Sequence, residues 1–235
     1  MLRTTCERLP KIEEVPATLY QGNTYHDRST VVVTPVRGKT VPLRTALCWM
    51  NLAAPPNTKC SRMVVTGDEV ATAYNNAVVQ ILANPTMSKM KYLLTWEDDN
   101  LPPPDGLLKL LAAMETSDFD VVGGLYREKR SRIPICCGRP GTGGFEPFEP
   151  APDGLTACNG LGMGFTLFKL DLFRSETLPF PWFMTRQTVA TQEQEGGIMT
   201  HDLYFFDRAG QLGHTFAVDG RVVVGHLDTE TDTVY

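Results

Sequence analysis

Three consecutive acids, Glu97, Asp98 and Asp99, follow directly on the apolar run Tyr92-Leu93-Leu94-Thr95-Trp96. Charged side chains are seldom buried unless they are paired or bound to a metal. In an extended chain, residues two apart share a face, which puts Glu97 beside Asp99 and turns Asp98 away. Two carboxylates held that close repel unless a cation lies between them or one takes up a proton. A hard oxygen cluster suits Mg²⁺, Mn²⁺ or Ca²⁺, and one added imidazole favours Mn²⁺ over Mg²⁺. His226, ending "RVVVGHLD", is the best candidate, because its strand can return to the same sheet edge beside the permissive Gly225; His26, His201 and His214 have weaker claims. The competing reading is a solvated loop with acids near the next helix N-terminus, and His226 as an ordinary strand-end residue.

The elements that must position these groups alternate regularly. Val31-Val32-Val33 reads as a strand covered on both faces, closed by Pro35 and Gly38. "PLRTALCWMNLAA" predicts a helix with Leu43, Ala46, Leu47 and Met50 on its packed face. "SRMVVTGDE" is a second strand and "VATAYNNAVVQILAN" a second helix. The run ending in the acids is a third strand, "DGLLKLLAAMET" a third helix and "FDVVGGLYRE" a fourth strand. This βαβαβαβ order predicts an α/β fold with a mostly parallel central sheet flanked by helices. Ligands of such sheets sit beyond the carboxyl ends of the strands, where the acids lie.

The second half is less regular. Residues 138–153 and 186–197 read as long loops and as candidate lids. Between them come the alternating Gly160, Gly162 and Gly164, and Trp182, which is either a sugar-stacking platform or a core side chain. "THDLYFFDRAGQLG" predicts a helix with Thr200 as cap and Gly210 as stop, and Asp219-Gly220 a tight turn between two strands. Residues 1–29 are expected to be an N-terminal extension, 30–228 one domain and 229–235 a C-terminal tail.

The 235 residues are 42% hydrophobic and 21% charged, ordinary for a soluble globular chain. A formal net charge of −5 argues against a nucleic-acid backbone as the main partner. No apolar run approaches a membrane span and no signal peptide is visible, so a cytoplasmic protein is expected. The six cysteines lack metal or redox spacing and read as reduced thiols.

In order, "VVVTPVRG", "WEDDNLPPPDGLLKLL", "VVGGLYR", "GLGMGFTLFKLDLF", "HDLYFFDRA" and "VGHLD" resemble the GT-A glycosyltransferases, nearest the family-2-like group of bacteria and phages. The resemblance covers residues 30–228 and implies a Rossmann-like nucleotide-binding half, 30–126, joined to a smaller acceptor half, 127–228. It implies a divalent metal and a nucleoside-diphosphate sugar held at a D-x-D motif, here Glu97-Asp98-Asp99 with Glu97 replacing the usual first Asp. Asp99 and His226 then match metal ligands, with Glu97 acting through water or the ribose. Asp202 matches the base that takes the acceptor hydroxyl's proton, and His201 stands where an acid is commoner. Thr34, Pro35, Arg37 and Asp68 match the segments around base and ribose. Asn76 matches the Asn of an Arg-Asn pair whose Arg is here Asn75. Gly160 and Gly162 match a segment bordering donor sugar and acceptor.

The reaction so implied is sugar transfer to a hydroxyl of a glycan, a protein, a small molecule or a modified nucleobase. A sugar-nucleotide pyrophosphorylase would carry a Gly-rich basic loop after the first strand, and "TPVRGKTVP" has one glycine. A metal-dependent phosphoesterase would require more ligands, and a non-catalytic nucleotide-sugar-binding protein of the same fold is the remaining alternative.

Overall fold

Val31 and Val33 of strand β1 (Thr30–Val36) pack into one apolar layer and Val32 into another, all fully buried. That division follows from the two-residue period of a strand and makes β1 a strand covered on both faces. The computed structural model describes residues 26–56, 58–139, 141, 144–188 and 197–235. Most of the expected N-terminal extension therefore lies outside the described residues. Within it, Arg28 forks onto Glu115 with 2.7 and 2.6 Å bonds.

After β1 come α1 (Leu43–Asn51), β2 (Cys60–Thr66), α2 (Val70–Ala83), β3 (Tyr92–Trp96), β4 (Asn100–Leu101), α3 (Gly106–Glu115) and β5 (Val121–Leu125). The second half adds β6 (Cys136–Cys137), β7 (Leu155–Cys158), β8 (Gly160–Leu161), β9 (Phe165–Lys169), β10 (Arg186–Thr188) and β11 (Gly197–Met199). Helix α4 (His201–Gln211), β12 (Phe216–Val223), β13 (Gly225–Asp228) and β14 (Thr233–Val234) complete the chain.

A seven-stranded sheet runs β2-β1-β3-β9-β5-β12-β7. The β2-β1-β3 end is parallel, as is β5 with β12. Strand β9 lies antiparallel between β3 and β5, so the fourth strand does not sit beside the third as simple alternation would have it. Every residue of β3 and β5 is buried, and a strand buried on both faces still needs two hydrogen-bonding neighbours. Helices α2 and α4 supply one apolar layer, through side chains such as Tyr74, Ile81, Phe205 and Phe206. Helix α3 supplies the other, with Leu107, Leu110 and Leu111 against Leu94 and Trp96.

Two expectations are corrected. Leu43, Leu47 and Met50 do not face the core: they are 74%, 48% and 82% exposed. The buried residue of α1 is Thr45, whose hydroxyl donates to the Asp98 carbonyl at 2.6 Å. Periodicity reports that a helix has an apolar stripe, not that the stripe meets a neighbour. Asp219-Gly220 is not a turn between two strands: β12 runs through it with a register shift against β5 between Asp219 and Val223, Asp219 being fully buried and paired to Arg221. A side chain at position 220 would strike the Ala151 carbonyl oxygen at 2.0 Å, so glycine serves close approach there. Residues 229–235 carry a further short strand. Strand β14 pairs with β13, and Tyr235 and His226 exchange two 3.0 Å backbone bonds.

Asn75, read as the stand-in for an arginine, is a structural clamp. Its buried amide donates to the Phe183 carbonyl at 2.7 Å and accepts from the Trp182 and Phe183 amides at 3.0 and 3.3 Å. This holds Trp182 in the core, edge-on to Phe173, rather than presenting it as a platform. Replacing Asn75 by Ala strands three buried backbone groups, and urea denaturation should show a loss of about 2–3 kcal/mol.

Candidate functional site

The acids end β3 in a tight turn, closed by the Asn100 amide on the Glu97 carbonyl at 3.2 Å, rather than in extended chain. The turn reverses into β4, where Asn100 is paired with His226 of β13. The Leu227 amide donates to the Asp99 carbonyl at 2.7 Å, and the Trp96 indole to the Asn100 carbonyl at 2.8 Å. Two residues more than a hundred positions apart are thereby fixed side by side. His226 Nε2 lies 3.6 Å from Asp99 Oδ2.

Both side chains are oriented by further contacts. His226 Nδ1 is 2.7 Å from the Arg127 carbonyl, which only accepts, so Nδ1 carries the proton and Nε2 is turned to Asp99. Asp99 Oδ1 accepts from the Asn100 amide at 3.0 Å, and Oδ2 accepts from Lys129 Nζ at 2.7 Å. Lys129 is a site residue that the sequence reading missed. Its signal was present, a basic "YREKR" directly beyond the carboxyl end of an apolar strand.

Glu97 does not join this pair. The His201 ring lies beside it, with Nε2 3.9 Å from Oε1. Among the described residues no group of three or more His, Cys, Asp or Glu side chains is arranged to hold a metal. The expected trio of Glu97, Asp99 and His226 is thus a facing pair with a separate carboxyl beside it. His201 stacks on Tyr74 with ring centroids 5.8 Å apart, and both His201 Nε2 and the Tyr74 hydroxyl are buried without a hydrogen-bond partner.

The charges follow from this placement. Burial, with Asp99 and Asp202 nearby, pushes the Glu97 carboxyl up to about 8. Asp99 is buried too, yet the Lys129 ammonium on its Oδ2 holds its carboxyl well below the usual range. Burial and the Asp99 charge raise Asp98, and burial lowers His201. One carboxyl of the turn is therefore protonated at neutral pH while its neighbour is firmly ionised.

A cavity of about 450 Å³ opens at the carboxyl ends of β1, β2 and β3. It is lined by Pro35, Arg37, Asp68 and the three acids, together with Val36, Gly67, Glu69 and Val70. Asn76 donates to Asp68 at 3.1 Å and so fixes it at the rim. Thr34 lies just behind, buried, its hydroxyl unpartnered. The ribbon β10–β11 stands alongside, Thr185 donating to Glu69 at 3.3 Å. Most of the expected lid at 186–197 lies outside the described residues. The described part of the 138–153 segment is tied to the body at several points, including a 2.9 Å bond from the Asn159 amide to the Gly138 carbonyl and a 3.0 Å bond from the Ala151 amide to the Thr156 hydroxyl.

Asp202 occupies the first turn of α4. Its Oδ1 accepts from the Thr200 hydroxyl and from the Leu203 amide. Thr200 makes no side-chain cap bond to the helix, so its hydroxyl serves Asp202 instead. The glycines are explained by neighbouring protein atoms. A Cβ at Gly162 would meet the Tyr126 hydroxyl at 1.9 Å, one at Gly164 the Asn100 side chain at 2.5 Å, and one at Gly160 Leu203 and Phe145 at 3.1 Å.

No protein-family model and no curated protein matches the sequence. The fold is similar to the crystal structure of A197 from STIV, 19% identical with a TM-score of 0.61, over 88% of this chain and 92% of that one. It is also similar to GalNAc-T7 solved with UDP, GalNAc and Mn²⁺, 10% identical with a TM-score of 0.56, over 85% of this chain and 44% of that one. This chain spans less than half of the GalNAc-T7 chain. What these likenesses establish is the fold alone, an α/β GT-A-like architecture. No helix among the described residues is long and apolar enough to cross a membrane.

Glu97 supplies a test with a definite sign. A carboxyl raised from 4.5 to about 8 binds more protons folded than unfolded, so its contribution to stability falls as pH rises between those values. In the metal-free protein, Glu97→Gln should leave the melting temperature unchanged near pH 4. It should stabilise increasingly above that, by roughly 2–3 kcal/mol at pH 7 once the partly exposed side chain is allowed for. Thermal melts across pH 4–8 on both proteins read this directly.

Proposed function

We propose that this protein is a metal-dependent glycosyltransferase that moves a sugar from a nucleoside-diphosphate sugar to an acceptor hydroxyl with inversion. The observation that carries this reading is the Asp99–His226 pair, two oriented electron-pair donors 3.6 Å apart at the mouth of a nucleotide-sized cavity in a GT-A-like fold. GalNAc-T7, which has that fold, was solved with UDP, GalNAc and Mn²⁺.

Two protein ligands suit a hard cation that takes its remaining positions from substrate phosphates and water. Asp99 and His226 would hold it, and the imidazole favours Mn²⁺ over Mg²⁺. When bound, such a cation supplies Lewis-acid neutralisation of the charge developing on the departing diphosphate. His226 fits by its second contact as well, since a ligating imidazole characteristically donates its other N–H to a carbonyl or carboxylate.

The other roles belong to side chains alone. Pro35, Arg37 and Asp68 line the base and ribose, Thr34 backs them, and Asn76 keeps Asp68 turned to the base. Protonated Glu97 donates a hydrogen bond to the donor instead of repelling it. Asp202 takes the acceptor hydroxyl's proton as that oxygen attacks the anomeric carbon and the bond to the diphosphate oxygen breaks. Thr200 and the Leu203 amide occupy its Oδ1, and among the described residues no hydrogen bond reaches Oδ2, which is the basic atom.

Incubating the protein with UDP-, GDP- and dTDP-sugars and Mn²⁺ while assaying nucleotide release tests the reading. Nucleoside diphosphate supports transfer, with slow hydrolysis of the donor substituting for an unidentified acceptor. Triphosphate formed from added pyrophosphate would indicate a pyrophosphorylase, and binding without turnover a non-catalytic module. Asp99→Ala should weaken Mn²⁺-dependent donor binding by more than about 100-fold. Asp202→Ala should leave donor affinity within about twofold and slow transfer by roughly 10²–10⁴. Undiminished transfer in that variant removes Asp202 as the base.

A further inference from the structure

Lys129 is charged, held at the centre of the site, and has no role in the reading above. Its ammonium donates to Asp99 Oδ2, the oxygen that His226 Nε2 also faces. Asp99 Oδ1 is already engaged by Asn100. A cation held by Asp99 and His226 would be offered Oδ2, the oxygen the imidazole faces, and at 2.7 Å Lys129 competes for it. A divalent ion a few ångströms from an ammonium would be repelled strongly, so the two do not share the oxygen.

The loop presenting Lys129 also orients the histidine. Arg127 offers its carbonyl to His226 Nδ1, and two residues later comes the ammonium. The loop closes on itself through a 2.8 Å bond from the Glu128 amide to the Ile133 carbonyl and a 3.1 Å bond from the Arg132 amide to the Glu128 carbonyl. Arg130 and Arg132 adopt φ of 72° and 58°, left-handed values that non-glycine residues seldom take. The tight backbone sets where the stem begins, while four methylene groups let the ammonium swing. The side chain is 29% exposed, on the solvent side of the pair.

We propose that Lys129 is an exchangeable counter-ion, seated on Asp99 when the site holds no nucleotide and released when a divalent cation takes its place. This rests on the metal-binding reading of Asp99 and His226. Lys129 neutralises Asp99, which is otherwise buried beside other acids, and so disfavours capture of a metal ion in the absence of donor. Once displaced, its ammonium is free to pair with the diphosphate arriving with the metal.

The test is a titration of the full chain with Mn²⁺ alone, followed by electron paramagnetic resonance of the free ion. Lys129→Met and Lys129→Gln, each checked for an intact fold by circular dichroism, should bind Mn²⁺ at least about tenfold more tightly than the wild type, the equivalent of one charge-assisted hydrogen bond. The gain should vanish when Asp99→Ala is added to either variant. Affinity unchanged or weakened in both single variants overturns the proposal, as does a gain that survives Asp99→Ala. The nucleotide-release assay is read independently. Release by the wild type with no Mn²⁺ gain in the variants leaves the transferase standing and removes only the role of Lys129.

Discussion

Two groups that each offer an electron pair do not rest facing one another unless something positive lies between them. Asp99 and His226 are held in that relation from every side. The β4–β13 pairing sets their backbones in register, Asn100 and Lys129 hold the carboxylate, and the Arg127 carbonyl holds the ring. The rest of the molecule can be seen as support for this one contact. Trp96 locks the turn through its indole, α1 contributes Thr45 to the Asp98 carbonyl, and β14 pins His226 through Tyr235. The stripe of apolar side chains that α1 leaves in solvent accompanies a packed face chosen for Thr45.

Some of this was legible in the sequence, and the division has a physical basis. Strands β1, β3 and β5 are continuous apolar runs because both faces are buried, so their places were readable, and with them the carboxyl-end position of the acids. That His226 belongs near Asp99 followed from where a strand was expected to end. What the sequence concealed depends on neighbours that local pattern does not encode. The insertion of β9 between β3 and β5, the outward turn of Leu43 and Leu47, and the passage of β12 through Asp219-Gly220 are settled by packing across the sheet. Asn75 is the clearest case: the same position in the helix can address a ligand or the chain behind it, and here it holds Phe183.

The site also shows stability set against use. A half-exposed glutamate would remain ionised at no cost, whereas Glu97 is placed where its charge is opposed by burial and by three other acids, Asp99, Asp202 and Asp98. The Tyr74 hydroxyl and His201 Nε2 lie in the same neighbourhood, buried and without partners. Each unpaired group of that kind costs roughly 1–3 kcal/mol. Three unfavourable placements gathered at Glu97, Tyr74 and His201 are hard to attribute to folding alone, and they are what a binding site looks like before its ligand supplies the missing contacts.

The cavity's charge narrows the nature of that ligand. Five acids line it, Asp68, Glu69, Glu97, Asp98 and Asp99, against a single arginine, Arg37. A bare diphosphate entering such a field would be repelled, so an anionic ligand needs positive charge to accompany it or to be waiting there. The structure holds two means of adjustment: a proton on Glu97, and the ammonium of Lys129 on Asp99. Neither provides the two charges at short range that a diphosphate demands, whereas a divalent ion held by Asp99 and His226, as proposed, would. A neutral sugar alone would need none of these devices. On the proposed reading, the acidic lining, which at first argues against a phosphate ligand, is the feature that would couple such a ligand to a metal.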